Sequence, residues 1–285
     1  MKTSLVIASI GRARILGETL SRLKNQTVAP IQIITVVHEP SDFPKGVEHD
    51  VTLVYSEKGL TKQRNKGIDH CSADADYVLF IDDDTFLHPR YIEEMEAIFN
   101  NDDNVVGATG VLIKNGDVEI SEADQLLHTF PNRDLEDGCF EIRGLYGCNF
   151  GVRRSALDRI RFDERLVLYG WLEDADFSWR LKSAGSLVKA PAMRCVHLMY
   201  PSGGRANHMR FGFSQVMNPY YLCRKNKRSL WSMMRAHWLK GVPANVFGMI
   251  FGPNRGDRLG RLRGNFIAFR KIFVGNVCPE YAEKL

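Results

Sequence analysis

Paired cysteines are the first thing this 285-residue chain lacks. Its six cysteines, Cys71, Cys139, Cys148, Cys195, Cys223 and Cys278, form no C-x-x-C pair and no other zinc-type spacing. A long apolar run is also missing, because Arg235, His237 and Lys240 interrupt the most hydrophobic part of the C-terminal stretch. The opening segment, MKTSLVIASIGRAR, carries an apolar run too short for a secretory signal. No internal repeat and no low-complexity tract occurs. These absences argue against a disulfide scaffold, a membrane-spanning protein and a solenoid. The expectation is a reduced, cytoplasmic protein.

What is present is an ordinary globular composition, 44% hydrophobic and 25% charged, in a chain long enough to bury a sizeable core. The net charge of +4 conceals an asymmetry. Residues 1–200 carry about 23 Lys and Arg against 31 Asp and Glu, whereas residues 201–285 carry about 15 against 3. A basic tail on an acidic body suits an anionic partner such as a membrane surface or phosphorylated ligands. The competing reading packs the tail on the body.

The segment SLVIAS reads as a buried strand, and Leu16, Leu20 and Leu23 recur at helical spacing over 13–25. PIQIITVVHEP and VTLVYSE give two more strands, a short helix follows at 61–70, and YVLFI is a fourth strand. This order predicts an α/β fold, a mostly parallel sheet flanked by helices, with ligands bound beyond the carboxyl ends of its strands. A helix opening at YIEEMEAIFN and a strand at NVVGATGVLI continue the pattern. Residues 114–145 read as a polar, specificity-bearing loop, WLEDADFSWRLKSAG as a helix ending at Gly185, and 206–285 as a basic helical extension.

Three constellations carry chemistry. YVLFI runs into Asp82, Asp83 and Asp84, and a D-x-D at the end of a buried strand is a sensible site for Mg2+ or Mn2+ with a diphosphate as third party. In WLEDADFSWR, Trp171 and Phe177 could desolvate a neighbouring carboxylate and raise its pKa, as a general base requires. An acidic helix start that complements the dipole is the plainer reading of the same residues. In GLTKQRNKGI, Lys62, Arg64 and Lys66 sit with two glycines on a strand-to-helix turn suited to phosphate or a base edge, or else form an exposed basic face. His197 could complete a metal shell, although a lone histidine is more often structural.

The order of SLVIASIGRARILGETLSRLKNQTVAPIQIITVVHEPSD, GLTKQRNKGI, YVLFIDDDTFLHP, GLYGCNFGVRRSAL and WLEDADFSWRLKSAG resembles the family 2 glycosyltransferases of the GT-A fold, over roughly residues 3–200. The resemblance implies a catalytic domain over 1–205, with a nucleotide-sugar half (1–112) and an acceptor half (113–205), followed by the helical extension 206–285. It implies metal ligation by Asp84, with Asp82 and His197, and a base at Asp174 with Glu173 beside it. Nucleotide-sugar contacts fall to Ser9, Arg12, Glu39, Arg64, Asp82 and Asp83. The acceptor falls to Trp171, Asn149 and Asp176.

The implied reaction is metal-dependent, inverting transfer of one sugar from a nucleotide diphosphosugar, UDP-linked by preference, to a hydroxyl of a glycan or lipid-linked acceptor. Its setting is bacterial surface polysaccharide assembly, with peripheral contact at the inner face of an anionic membrane through 206–285. Two departures stand out. The family's common VVDDGS after the second strand is here VVHEPS, leaving Glu39 to meet a uracil or guanine N–H. No Q-x-x-R-W motif of processive members occurs. A sugar nucleotidyltransferase would need a Gly-rich loop where ASIGRAR stands, and a non-catalytic sugar-nucleotide binder would not need Asp174. A nucleic-acid binder would be repelled by the acidic strand edge.

Overall fold

A computed structural model describes residues 1–47, 51–130, 138–200 and 207–285. The chain forms two compact units. The first comprises residues 1–58, 62–162 and 174–201, and the second 59–61, 163–173 and 202–285. The expected boundary at 205 lies outside the described residues, as do 131–137 of the expected specificity segment.

Among the described residues, the first unit is built on a nine-stranded sheet. Its strands are β1 (Thr3–Ala8), β2 (Gln32–Val37), β3 (Thr52–Tyr55), β4 (Tyr77–Asp82), β5 (Thr85–Leu87), β6 (Val105–Asn115), β7 (Phe140–Glu141), β8 (Asn149–Arg153) and β9 (Ser186–His197). The order is β3-β2-β1-β4-β8-β6-β9-β5, with β7 also on β9. Strands β3, β2, β1 and β4 pair in parallel, β8 runs against β4 and β6, and β6 with β9 restores the first direction. The result is a mixed sheet flanked by helices, of the GT-A type that the resemblance implies, with antiparallel pairings of β8, β5 and β7 where the pattern predicts a mostly parallel sheet.

Strands β1 and β4 are apolar without alternation because the sheet is covered on both faces. Helix α1 (Ala13–Leu23) buries Ile15, Leu16, Thr19, Leu20 and Leu23 along one stripe, which fixes its rotation against the sheet. Two further helices, α2 (Leu60–Asp69) and α3 (Tyr91–Asn101), follow the third and fifth strands, and α5 (Glu173–Leu181) follows β8. The segment 114–145, expected to be loop, contains the end of β6, helix α4 (Ile120–Thr129) and β7. Ala123 and Leu127, four apart, bury the inner face of α4.

The second unit is helical: α6 (His208–Lys225), α7 (Leu230–Met233), a π turn over Met234–Trp238, α8 (Leu239–Phe251) and α9 (Arg255–Phe273). The Asn207 side chain caps α6 by accepting the Arg210 N–H at 3.1 Å. Helices α6 and α9 cross closely at glycine, since a Cβ on Gly264 would run into the Met209 carbonyl and one on Gly212 into that of Arg261. Gly264→Ala should therefore destabilise this unit by about 1–3 kcal/mol through overpacking. Thermal unfolding checks it: the variant should melt several degrees lower, and an unchanged midpoint would show that the crossing relaxes freely.

Candidate active site

The carboxyl end of β4 shows why three successive aspartates are tolerated. Strand β4 ends at Asp82, and Asp83 and Asp84 form the turn into β5, where their side chains part: Asp84 faces His197 together with Asp82, and Asp83 does not. Asp83 is fully buried and points back into the protein. It accepts the Ser9 hydroxyl and the Arg12 Nε–H at 3.0 Å, and forms an ion pair with Arg12 Nη2. Its main-chain oxygen accepts the Thr19 hydroxyl at 2.6 Å. Burial pushes the Asp83 carboxyl up to about 7 against the opposing pull of Arg12. Ser9, Arg12 and Asp83, expected at the nucleotide, thus engage one another and pin the loop after β1.

Asp84, also buried, accepts the Tyr200 backbone N–H at 2.8 Å and Arg12 Nη1 at 3.2 Å through Oδ2. Its other oxygen, Oδ1, lies 3.3 Å from His197 Nε2, and Asp82 Oδ2 lies 4.0 Å from the same nitrogen. Position 197 comes to this edge as the last residue of β9, paired in register with Thr85 of β5. One ligand atom from each of Asp82, Asp84 and His197 falls within 4.8 Å of the others.

The histidine's far side decides how to read this cluster. Nδ1 meets Asn115 Oδ1 at 2.9 Å, an acceptor, so Nδ1 carries the proton and Nε2 is the free ring nitrogen. A neutral Nε2 lone pair aimed at two carboxylates is repulsive unless a proton or a cation lies between them. Burial alone would lower the His197 pKa, but the hydrogen bond and charge of Asp84, with Asp82 behind it, raise it; burial would likewise raise the Asp84 pKa, but His197 and Arg12 hold it down. Two guanidiniums, Arg12 and Arg64, answer three carboxylates here. The donor set and the leftover negative charge both fit a divalent cation.

Arg64 connects this cluster to the second one. Its Nη2 donates to Asp82 Oδ1 at 3.1 Å and to the Gly147 carbonyl at 2.6 Å, while its guanidinium lies 5.4 Å from the Phe150 and Phe162 rings. Asp174, in the first turn of α5, accepts backbone N–H groups from Ala175, at 2.8 Å, and Gly147. Burial raises the Asp174 pKa, and the charge of Asp82 adds to that, while the two N–H groups and Arg64 oppose it. A carboxylate held by two fixed donors with an elevated pKa can accept a proton from a hydroxyl.

The remaining expected site residues go elsewhere. Asn149 is fully buried, and its Oδ1 accepts the Tyr91 hydroxyl and the Gly110 N–H at 2.8 Å each, which makes it a pin between β6, β8 and α3. Asp176 is equally buried, against Arg180 at 2.8 Å. Neither side chain reaches a surface where an acceptor could touch it. Glu39 is exposed after β2. Trp171 is half-buried in the second unit beside Tyr169 and edge-on to Phe211, and Glu173 is buried in the same unit.

One organising residue escaped the sequence reading. Asp42 is buried and accepts three backbone N–H groups, from Gly11 at 2.6 Å and from His38 and Glu39 at 3.1 Å each. It ties the loop after β1 to the loop after β2, and Gly11 takes the left-handed conformation (φ 68°) that this contact needs. Pro40-Ser41-Asp42 was the available signal, a turn-forming run ending in a carboxylate.

Comparison with known proteins bears on the family and the fold. The sequence profile of "Glycosyl transferase family 2" matches residues 4–161. A relative named glucosyl-dolichyl phosphate glucuronosyltransferase, from Haloferax volcanii, is 26% identical over 94% of this chain and 84% of its own length. EpsH of Bacillus subtilis (strain 168), provisionally named a glycosyltransferase, is 27% identical over 66% of this chain, which spans 58% of EpsH. The crystal structure of S. aureus TarS superposes with a TM-score of 0.52 at 16% identity, over 76% of this chain and 40% of TarS, a likeness of fold alone. The chain belongs to glycosyl transferase family 2.

Proposed function

We propose that the chain transfers a single sugar, with inversion, from a nucleotide diphosphosugar to a hydroxyl of a glycan or lipid-linked acceptor. The observation that supports this most strongly is the coupling of the Asp82–Asp84–His197 cluster to Asp174 through Arg64. Asp82, Asp84 and His197 would hold a divalent ion, and the mixed oxygen and nitrogen set suits Mn2+ better than Mg2+. When bound, such an ion offsets charge building on the departing nucleoside diphosphate.

Asp174 takes the proton from the acceptor hydroxyl at a carboxylate oxygen. The resulting oxygen nucleophile attacks the anomeric carbon on the face opposite the diphosphate, so the configuration inverts. Arg64 keeps the Gly147 turn, and with it the donor to Asp174, in register with Asp82. Asp42 and the Ser9–Arg12–Asp83 network fix the two loops that would border the base, leaving exposed Glu39 to accept a uracil N–H. Asn149 and Asp176 are too buried to meet an acceptor. A lipid-linked acceptor in glycan assembly gains support from the name of the Haloferax volcanii relative, a glucosyl-dolichyl phosphate glucuronosyltransferase that matches 94% of this chain.

Calorimetric titration of UDP and GDP, each with and without Mn2+, tests the donor half of this reading. UDP should bind tightly with Mn2+ and weakly after chelation. A response to GDP alone would replace the base assignment, and heat from neither nucleotide in Mn2+ would overturn the donor reading altogether.

A further inference from the structure

Helix α8 is inverted relative to a helix of a water-soluble core. Its one fully buried residue is Asn245, while Leu239, Val246, Phe247, Ile250 and Phe251 are exposed, Phe247 and Phe251 by 65% and 68%. The exposed positions recur at 239, 246, 247, 250 and 251, which is one continuous stripe. Helix α9, joined to it by residues 252–254, alternates apolar and cationic side chains outward: Leu259, Arg263, Phe266, Arg270 and Phe273. Phe266 is 70% exposed and Phe273 91%.

The interior of these helices is equally unusual. Asn245 Nδ2 donates to Gln215 Oε1 at 3.0 Å and to Asn265 Oδ1 at 3.1 Å. Arg258 Nη1 donates to Asn245 Oδ1 at 3.2 Å, and Asn265 Nδ2 to the Gly212 carbonyl at 2.7 Å. Gly260 and Gly264, one turn apart, bring α9 against α6. Small residues at the crossing, polar side chains as the glue and apolar side chains facing outward are how helices pack in lipid. In water that much contiguous exposed apolar surface marks a docking face.

We propose that α8 and α9 form a lipid-seated hairpin that lies in the surface of an anionic bilayer. Among the described residues no helix is long and apolar enough to cross a membrane, and the 13 residues of α8 suit an interfacial element rather than a span. Charge complementarity selects the lipid. Arg263 and Arg270 alternate along α9 with Phe266 and Phe273, Lys240 stands in the first turn of α8, and Arg255 opens α9. Two of the few carboxylates of this unit are already engaged, Asp257 with His208 at 3.2 Å and Glu280 with Arg165. Aromatic rings at the acyl boundary with guanidiniums level with the head groups match a negatively charged surface.

Flotation of the full chain with vesicles tests this, comparing pure phosphatidylcholine with a mixture containing about 30% phosphatidylglycerol at low and high salt. The chain should float with the anionic vesicles, less so in high salt, and poorly with neutral ones. Arg263→Gln with Arg270→Gln should weaken anionic binding roughly 25-fold, at about fivefold per charge. Phe247→Ser with Phe251→Ser, and separately Phe266→Ser with Phe273→Ser, should each weaken it by at least about tenfold. All three pairs are exposed and should melt with the parent. Full binding by the phenylalanine variants, or equal flotation with both vesicles, would overturn the proposal. So would absence of flotation together with a dimer by light scattering that the phenylalanine variants dissociate, since the face would then be covered by a second copy.

Discussion

Asp174→Asn should lower turnover by about 10²–10⁴-fold, the usual worth of a placed proton acceptor, while leaving Mn2+-supported nucleotide binding intact. Asparagine fills the same volume and can still accept the Ala175 N–H through Oδ1, so the α5 start should not move. It cannot take a proton. Steady-state rates give the first quantity and calorimetry with UDP and Mn2+ the second. The parent's pH profile supplies an independent signature. Burial sets the Asp174 pKa above the ordinary aspartate value. A base must be ionised to act, so kcat should fall as pH drops through that raised value, at a higher pH than an exposed aspartate would give. The limb should vanish in the variant. Unchanged turnover would remove Asp174 from the base role, and loss of nucleotide binding together with turnover would show that the residue holds the site's shape.

The two carboxylate clusters were legible in the sequence because each follows a strong local signal. An uninterrupted apolar run, Tyr77 to Ile81, reads as a covered strand, and ligands of such sheets bind beyond the carboxyl ends of their strands. The resemblance separated Asp82 and Asp84, as metal ligands, from Asp83, which it placed at the nucleotide. What no local pattern holds is the partner of Asp83: Arg12 lies 71 residues away and meets it only after β1 and β4 pair. The same limit explains Asn149 and Asp176. Both are polar residues in site-like motifs, and neither motif says that the side chain will be satisfied inside the core. Strand β9 went unread because Pro191 interrupts SLVKAPAMRCVH. The ladder absorbs it by jumping from the Gly110–Ala190 pair to Val111–Arg194, a bulge that places the proline off the hydrogen-bonding register. His197 depends on that bulge, since the residues after it carry the strand to Asp84. In the tail the composition was legible as basic and aromatic, but the inversion of α8 was not. A helix whose asparagine is inside and whose phenylalanines are outside has the same sequence either way.

Asp84→Asn should abolish the Mn2+ dependence of nucleotide binding, weakening affinity in Mn2+ by more than the 10–100-fold typical of losing an outer partner of a metal ligand. The substitution leaves a side chain that can still accept the Tyr200 N–H at the Oδ2 position, so the turn after β9 keeps its anchor. It removes the charge that, with Asp82, faces His197 Nε2. Asp83→Asn is the informative contrast. That carboxylate is buried against Ser9 and Arg12 rather than facing His197, so its neutralisation should lower thermal stability and leave the ratio of affinities with and without Mn2+ close to the parent's. The mechanism behind the stability loss is that the partly buried Arg12 guanidinium loses one of its two carboxylate partners and keeps only Asp84. Titrations of the three proteins with UDP, each repeated after chelation, separate the roles. Equal loss of metal dependence in both variants would mean that the triplet acts as one undivided anionic patch, and would overturn the assignment of Asp82, Asp84 and His197 as the ligand set.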